Sequence, residues 1–171
     1  MPFWRTYYHL VWATKNRADL VRPELELQLF QYLINKAAEL HVTVYAINGW
    51  LDHVHLVVTI PPKHSVATVV KRLKGSSSHY LNQTGLSLEA FAWQRGYGVF
   101  TLGESQRRRA EAYVRAQKEH HRQQTTNVWL ERVEEFDKGP EDSGLTVAPV
   151  AAVEGVLREE PPGYRAENTF P

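Results

Sequence analysis

Two histidines in the stretch WLDHVHLVVTI, His53 and His55, are the first residues of this chain whose types and spacing could do chemistry. Side chains alternate sides along a strand. His53, His55, Val57 and Thr59 then share one face, and Asp52, Val54, Leu56, Val58 and Ile60 share the other. The second set is nearly all apolar and reads as the core face. Two imidazoles on one strand face can converge on a single divalent cation, because imidazole nitrogen suits Mn, Zn, Fe or Ni. His-x-His alone is a common pattern, and a solvated pair on an open sheet face is the competing assignment.

A second candidate lies some sixty positions further on. Tyr113 and Gln117 are four residues apart and therefore neighbours on a helix. On one continuous helix Gln106, Arg109, Tyr113, Gln117, His120 and Gln124 would form a single polar stripe. The apolar residues beside it, Ala110, Ala112, Val114 and Ala116, are small. A helix that only packs would show a broader apolar face. The competing assignment is a surface tyrosine on a solvated helix.

The elements that must position these groups follow from periodicity and punctuation. Residues 5–14 (RTYYHLVWAT) read as a strand. Pro23, with Glu24 and Glu26, opens a helix whose inner face is Leu25, Leu29, Phe30, Leu33, Ile34, Ala37 and Leu40. Residues 42–47 form a second strand, Asn48-Gly49 signals a hairpin turn, and residues 50–60 form the third strand. A helix is predicted from Ser65 to about Asn82, with Gly75-Ser76-Ser77-Ser78 as a weak point. Its Val66, Val69, Val70, Leu73 and Tyr80 face inward, and Lys71, Arg72 and Lys74 outward. Residues 91–102 read as a strand with glycines at a bend, residues 104–125 as one charged helix, and residues 127–136 as a last short helix. The order β-α-β-β-α-β-α, with one hairpin, predicts an α+β, ferredoxin-like sandwich. The expected sheet is mainly antiparallel, with helices on one face and the tyrosine-bearing helix near the His-x-His strand.

Composition sets limits. The chain has 171 residues and no cysteine, which excludes disulfides, thiolate catalysis and Cys-based zinc or iron–sulfur sites. Its longest charge-free runs are far short of the roughly 20 apolar residues of a membrane span. No signal peptide is apparent, so no membrane association and a cytoplasmic location are expected. Net charge is +1, but Lys and Arg outnumber Asp and Glu by 16 to 9 up to Leu130, while acids lead by 10 to 4 from Glu131 onward. A basic body able to hold a polyanion is expected up to Leu130, and an acidic, Pro- and Gly-rich, partly disordered tail over 137–171.

Five stretches together resemble the single-tyrosine HUH transposases of the smallest bacterial insertion sequences, the IS200-like family, and their REP-associated relatives. They are YHLVWATKNR (8–17), WLDHVHLVV (50–58), VKRLKGSSS (70–78), FAWQRGYGVFTL (91–102) and AYVRAQKEHH (112–121). The His-hydrophobic-His pair followed by Tyr-x-x-x-Gln is far more specific than either motif alone. The resemblance implies a catalytic domain over residues 1–136. In it His53, His55 and Gln117 are metal ligands for Mg²⁺ or Mn²⁺, and Tyr113 is the nucleophile. It also implies a homodimer, and a single-stranded DNA substrate with subterminal hairpins that is nicked and rejoined through a 5′-phosphotyrosine. Lys71, Arg72, Lys74, Arg107, Arg108, Arg109 and Arg115 are the candidate phosphate contacts. Trp93 and Tyr97 are candidates for base stacking, against a competing role in the core.

Rival readings share part of this pattern. A domesticated relative would hold hairpin DNA or RNA without cutting it. A histidine-triad phosphoesterase needs a third alternate histidine, where this chain has Val57. Replication initiators and relaxases carry further regions for which this chain has no room.

Overall fold

The structure is a computed structural model that describes residues 3–87, 89–128 and 130–133. Among these residues nine segments are regular: β1 (Tyr7–Ala13), a 3-10 turn (Lys15–Arg17), α1 (Pro23–Glu39), β2 (Thr43–Trp50), β3 (His53–Thr59), α2 (Val66–Thr84), β4 (Gly98–Leu102), α3 (Glu104–Arg115) and α4 (Gln117–Gln123). The four strands form one sheet in the order β2-β3-β1-β4. Every neighbouring pair is antiparallel. This is the expected ferredoxin-like α+β arrangement, with the His-x-His strand in the interior of the sheet. No helix among the described residues is long and apolar enough to cross a membrane.

The alternation in β3 divides the molecule. Val54, Leu56 and Val58 join Leu10 and Trp12 of β1 in the main core. Leu25, Leu29, Leu33 and Ala37 of α1 and Val69, Val70, Leu73 and Leu81 of α2 cover that face. The helical period explains α1, whose four fully covered residues recur every four positions. Pro23 occupies its first turn with Glu24 and Glu26, suiting the positive end of the helix dipole. α3 lies on the opposite face, where Val114 packs with Ala46 and Val57.

α2 runs unbroken through Gly75-Ser78, as the helix expected from Ser65 to about Asn82 requires. The serine hydroxyls donate back into the helix, from Ser76 to the Arg72 carbonyl (2.7 Å), Ser77 to Lys74 (3.2 Å) and Ser78 to Gly75 (3.1 Å). Ser77 is fully buried and also accepts from the Trp93 indole at 2.9 Å. Ser65 caps the helix by accepting from the Thr68 amide, and Gly85 ends it at φ +64°.

Four segments differ from the sequence reading. Asn48-Gly49 is not the hairpin turn: both residues lie within β2, opposite His55 and Val54, and the turn is Leu51-Asp52. Gly49 is required there by close approach, since a Cβ would come within 2.2 Å of the His53 carbonyl oxygen. The strand predicted over 91–102 shrinks to Gly98–Leu102, because Gly96 turns the chain at φ +79° and Phe91 enters the core. Trp93 and Tyr97 pack against that core, and Trp93 meets Trp12 edge-on at 6.0 Å. The single helix predicted over 104–125 breaks at Ala116 into α3 and α4. Of the short helix predicted over 127–136, the described residues are turn and irregular chain, not helix. The remainder of it and the acidic tail lie outside the described residues.

Candidate functional site

β3 presents His53 and His55 to the face covered by α3, α4 and residues 130–133. They are not on an open sheet face: their exposures are 1% and 0%. Each ring is held from behind. His53 Nδ1 lies 2.6 Å from Asp52 Oδ1, and Arg17 donates to Asp52 Oδ2 at 3.0 Å. His55 Nδ1 lies 2.9 Å from Nε2 of buried His9, and the two rings stack. Both histidines therefore turn Nε2 toward the same point, and a partner on Nδ1 is what fixes an imidazole for such a task.

Tyr113 and Gln117 reach that point from α3 and α4 despite the break between them. The Tyr113 ring stands edge-on to His55 at 6.4 Å between centroids and stacks on His120 at 4.7 Å. Its hydroxyl accepts from the Asn127 amide at 2.9 Å. Gln117 is fully buried. Its Nε2 is 3.1 Å from Nε2 of His121, which lies flat against Trp50. His121 Nε2 is in turn 3.2 Å from His53 Nε2. Of the predicted stripe, Gln106 instead caps α3 by accepting from the Gly103 amide at 2.9 Å.

The residue that the sequence reading missed is Glu131. Its Oε1 accepts from the Tyr113 hydroxyl at 2.8 Å and from Gln117 Nε2 at 2.6 Å. Its Oε2 lies 3.1 Å from His53 Nε2 and 3.0 Å from His55 Nε2. One carboxylate thus touches all four predicted catalytic and ligand residues. Glu131 falls in the short helix expected over 127–136, where the charge balance turns acidic, and no periodicity links it to β3. The only signal in the sequence was its place at the boundary between the basic and acidic regions.

The electrostatics follow from burial and these contacts. Burial pushes the Glu131 carboxyl up, but the two histidines and Gln117 outweigh it and hold it far below the usual carboxylate range. Burial pulls His53 down, yet Asp52 and Glu131 outweigh it and raise it. Burial dominates at His55 and lowers it despite Glu131. His9 is lowered to about 3 by burial and by His55. Burial, with Glu131 adding to it, pushes the Tyr113 phenol up to about 12. As it stands, the phenol is thus protonated and needs help to become a nucleophile.

The donor set fits a divalent cation. Ligand atoms of His53, His55 and Glu131 all lie within 4.8 Å of one another. Gln117 Oε1 is buried and has no hydrogen-bond partner among the described residues. A buried amide oxygen left unpaired is costly unless a donor or a cation engages its lone pairs.

The seven predicted phosphate contacts do not form one patch. Lys71 and Arg72 are exposed on α2, on the opposite side of the sheet from exposed Arg108 and Arg109 on α3. Lys74 does not face outward as expected: it donates to the Gln94 and Gly96 carbonyls at 2.8 and 2.6 Å, and burial lowers it to about 8. Arg107 is likewise engaged internally, with Glu111 at 2.5 Å and the Tyr45 ring at 4.4 Å. Arg115 donates to Glu111 and the Tyr45 carbonyl but leaves 62% of its side chain exposed.

Comparison with known proteins gives the family of the chain. The profile of the family described as "Transposase IS200 like" matches residues 2–117. The chain belongs to the IS200-like transposase family. IS200-like transposases are DNA-cleaving and DNA-joining enzymes, and the Tyr113 and His-x-His motifs both lie in the matched region. Among curated relatives, the ISDra2 transposase TnpA of Deinococcus radiodurans is 28% identical over 115 residues, covering 64% of this chain and 82% of that protein. The transposase for insertion sequence element IS200 of Salmonella typhimurium is 31% identical over 107 residues, covering 60% and 70%. A crystal structure assigned to a transposase of D. radiodurans superposes with a TM-score of 0.52 at 28% identity, covering 68% of this chain and 95% of that one. A REP-associated tyrosine transposase bound to a REP hairpin shares the fold, with a TM-score of 0.54 at 14% identity and coverage of 75% and 76%.

Proposed function

We propose that this IS200-like transposase nicks and rejoins single-stranded DNA at hairpin-bearing ends through a 5′-phosphotyrosine on Tyr113. The observation that carries this reading is the meeting of Tyr113, Gln117, His53 and His55 around the Glu131 carboxylate. His53, His55 and Gln117 would hold Mg²⁺ or Mn²⁺, which when bound polarises the scissile phosphate and stabilises its developing charge. Two imidazoles favour Mn²⁺ at least as well as Mg²⁺.

The protein's own groups supply the rest. Asp52 and His9 hold the imidazole rings with Nε2 facing the phosphate site. Asn127 and Glu131 aim the Tyr113 hydroxyl. In the first step the phenol oxygen forms a bond to phosphorus and gives up its proton. The bond to the leaving 3′-oxygen breaks, and that oxygen takes a proton. A 5′-phosphotyrosine and a 3′-hydroxyl remain. One phosphodiester has replaced another, so a second 3′-hydroxyl can run the step backwards without a nucleotide cofactor.

Exposed Arg108, Arg109 and Arg115 lie on the helix that carries Tyr113, which makes them the nearest phosphate contacts for the reacting strand. Lys71 and Arg72 would meet DNA only where it wraps to the other side of the sheet. The neighbouring transposase bound to a REP hairpin supports a hairpin substrate. A homodimer is part of the same reading, with β2 and β4 as the strands on which a second sheet could join.

The test is a hairpin-flanked single-stranded oligonucleotide incubated with the protein and Mn²⁺ and run on a denaturing gel. A covalent protein–DNA band is expected from the wild type and none from Tyr113→Phe, which should still bind the hairpin. An equal band from both proteins would overturn the assignment.

A further inference from the structure

Glu131 stands outside both motifs, yet among the described residues no other side chain touches so much of the site. Its two oxygens divide the work: Oε2 lies on the imidazole pair, and Oε1 on Tyr113 and Gln117. Cation–ligand bonds of about 2.1 Å meeting near right angles place neighbouring donor atoms about 3.0 Å apart. The separations of 3.1 and 3.0 Å from Oε2 to the two Nε2 atoms have that spacing.

Two further observations show that the carboxylate is placed there by design of the fold. Gln117 turns its amide nitrogen to Glu131 and leaves its oxygen buried without a partner among the described residues. Glu131 thereby fixes which end of the amide remains available to a cation. Gly98 on β4 makes room for the segment that carries Glu131. A Cβ there would come within 2.2 Å of the Arg132 carbonyl oxygen and 2.7 Å of Val11 Cγ1. A larger residue would push this segment off the sheet.

We propose that Glu131 is a further ligand of the divalent cation and, through its second oxygen, the residue that positions the Tyr113 hydroxyl. The proposal rests on the catalytic reading above and deepens it. A fixed carboxylate adds a negatively charged oxygen to two neutral imidazoles, which strengthens the hold on Mn²⁺ or Mg²⁺. It also ties the nucleophile to the cation site through one rigid group.

The experiment titrates Mn²⁺ into the full-length protein without DNA and follows free Mn²⁺ by electron paramagnetic resonance. Glu131→Gln keeps the shape and should weaken Mn²⁺ binding by about 10-fold or more. Gly98→Ala retains the carboxylate but displaces its segment, and should weaken binding in the same direction. This second variant covers the case in which Glu131→Gln fails to fold, which thermal melting would reveal. At saturating Mn²⁺, the adduct-forming rate of Glu131→Gln should fall while its Kd for hairpin DNA is unchanged. Wild-type affinity in Glu131→Gln, beside a loss in His53→Ala, would overturn the proposal and leave the catalytic reading standing. Tighter Mn²⁺ binding by Glu131→Gln would also overturn it, by making the carboxylate a competitor of the cation. Wild-type affinity in His53→Ala would remove the cation site itself, and the proposal with it.

Discussion

The two faces of the sheet are buried almost equally and held by different physics. Val54, Leu56 and Val58 are fully covered by α1 and α2; His53 and His55 are just as fully covered by α3, α4 and residues 130–133. On the first face many interchangeable apolar contacts add up, and no single one is decisive. On the second, a few hydrogen bonds converge on Glu131, and removing any member leaves a buried polar atom without its partner. On this account the apolar face carries the stability of the fold, and the polar face the proposed chemistry.

Neighbouring residues in β3 give the sharpest test of that division. Leu56→Ala should cost about 2–5 kcal/mol of unfolding free energy in urea titration, while folded protein retains Mn²⁺ affinity. His55→Ala should cost about 1–3 kcal/mol and abolish Mn²⁺ binding in the same assay. Equal losses of Mn²⁺ affinity in the two variants would erase the distinction.

A smaller effect is expected on the apolar side at the start of α2. Ser65 caps this helix through the Thr68 amide, so Ser65→Ala should lower stability by about 1 kcal/mol and leave adduct formation unchanged. Lys74 supplies an effect that depends on pH. Its amine titrates at about 8 in the fold, below the ordinary value of 10.5, because burial disfavours the charged form. Between those two values the unfolded chain binds more protons, so this group favours folding increasingly as pH rises. The stability difference between wild type and Lys74→Met should therefore move in favour of the wild type from pH 8 to pH 10.5. No movement, or the opposite sign, would show that Lys74 is not buried as described.

The apolar face was largely legible in the sequence, because periods of two in β3 and four in α1 are written in residue types. The same alternation separated His53 and His55 from the core. Tyr113 and Gln117 were legible as a pair because the break at Ala116 does not carry them apart. Contacts between distant segments were not legible. Gly49 looks like a turn residue until the His53 carbonyl is seen against it, and Gly98 looks like a strand defect until the Arg132 carbonyl crosses it. Glu131 was hidden for the same reason: its role comes from where residues 130–133 cross the sheet. Lys74 and Arg107 read as surface cations because their partners, loop carbonyls and tyrosine rings, leave no pattern near them in sequence.

The central claim is that the phenol and the imidazole pair form one reaction centre. Its most direct test is to trap the protein with a hairpin-flanked single strand and Mn²⁺, digest the complex, and map the attachment site by mass spectrometry. The account predicts a DNA 5′-phosphate on the peptide containing Tyr113, absent when His53 or His55 is replaced by alanine. Attachment to any other residue, or an undiminished Tyr113 adduct in the histidine variants, would contradict it.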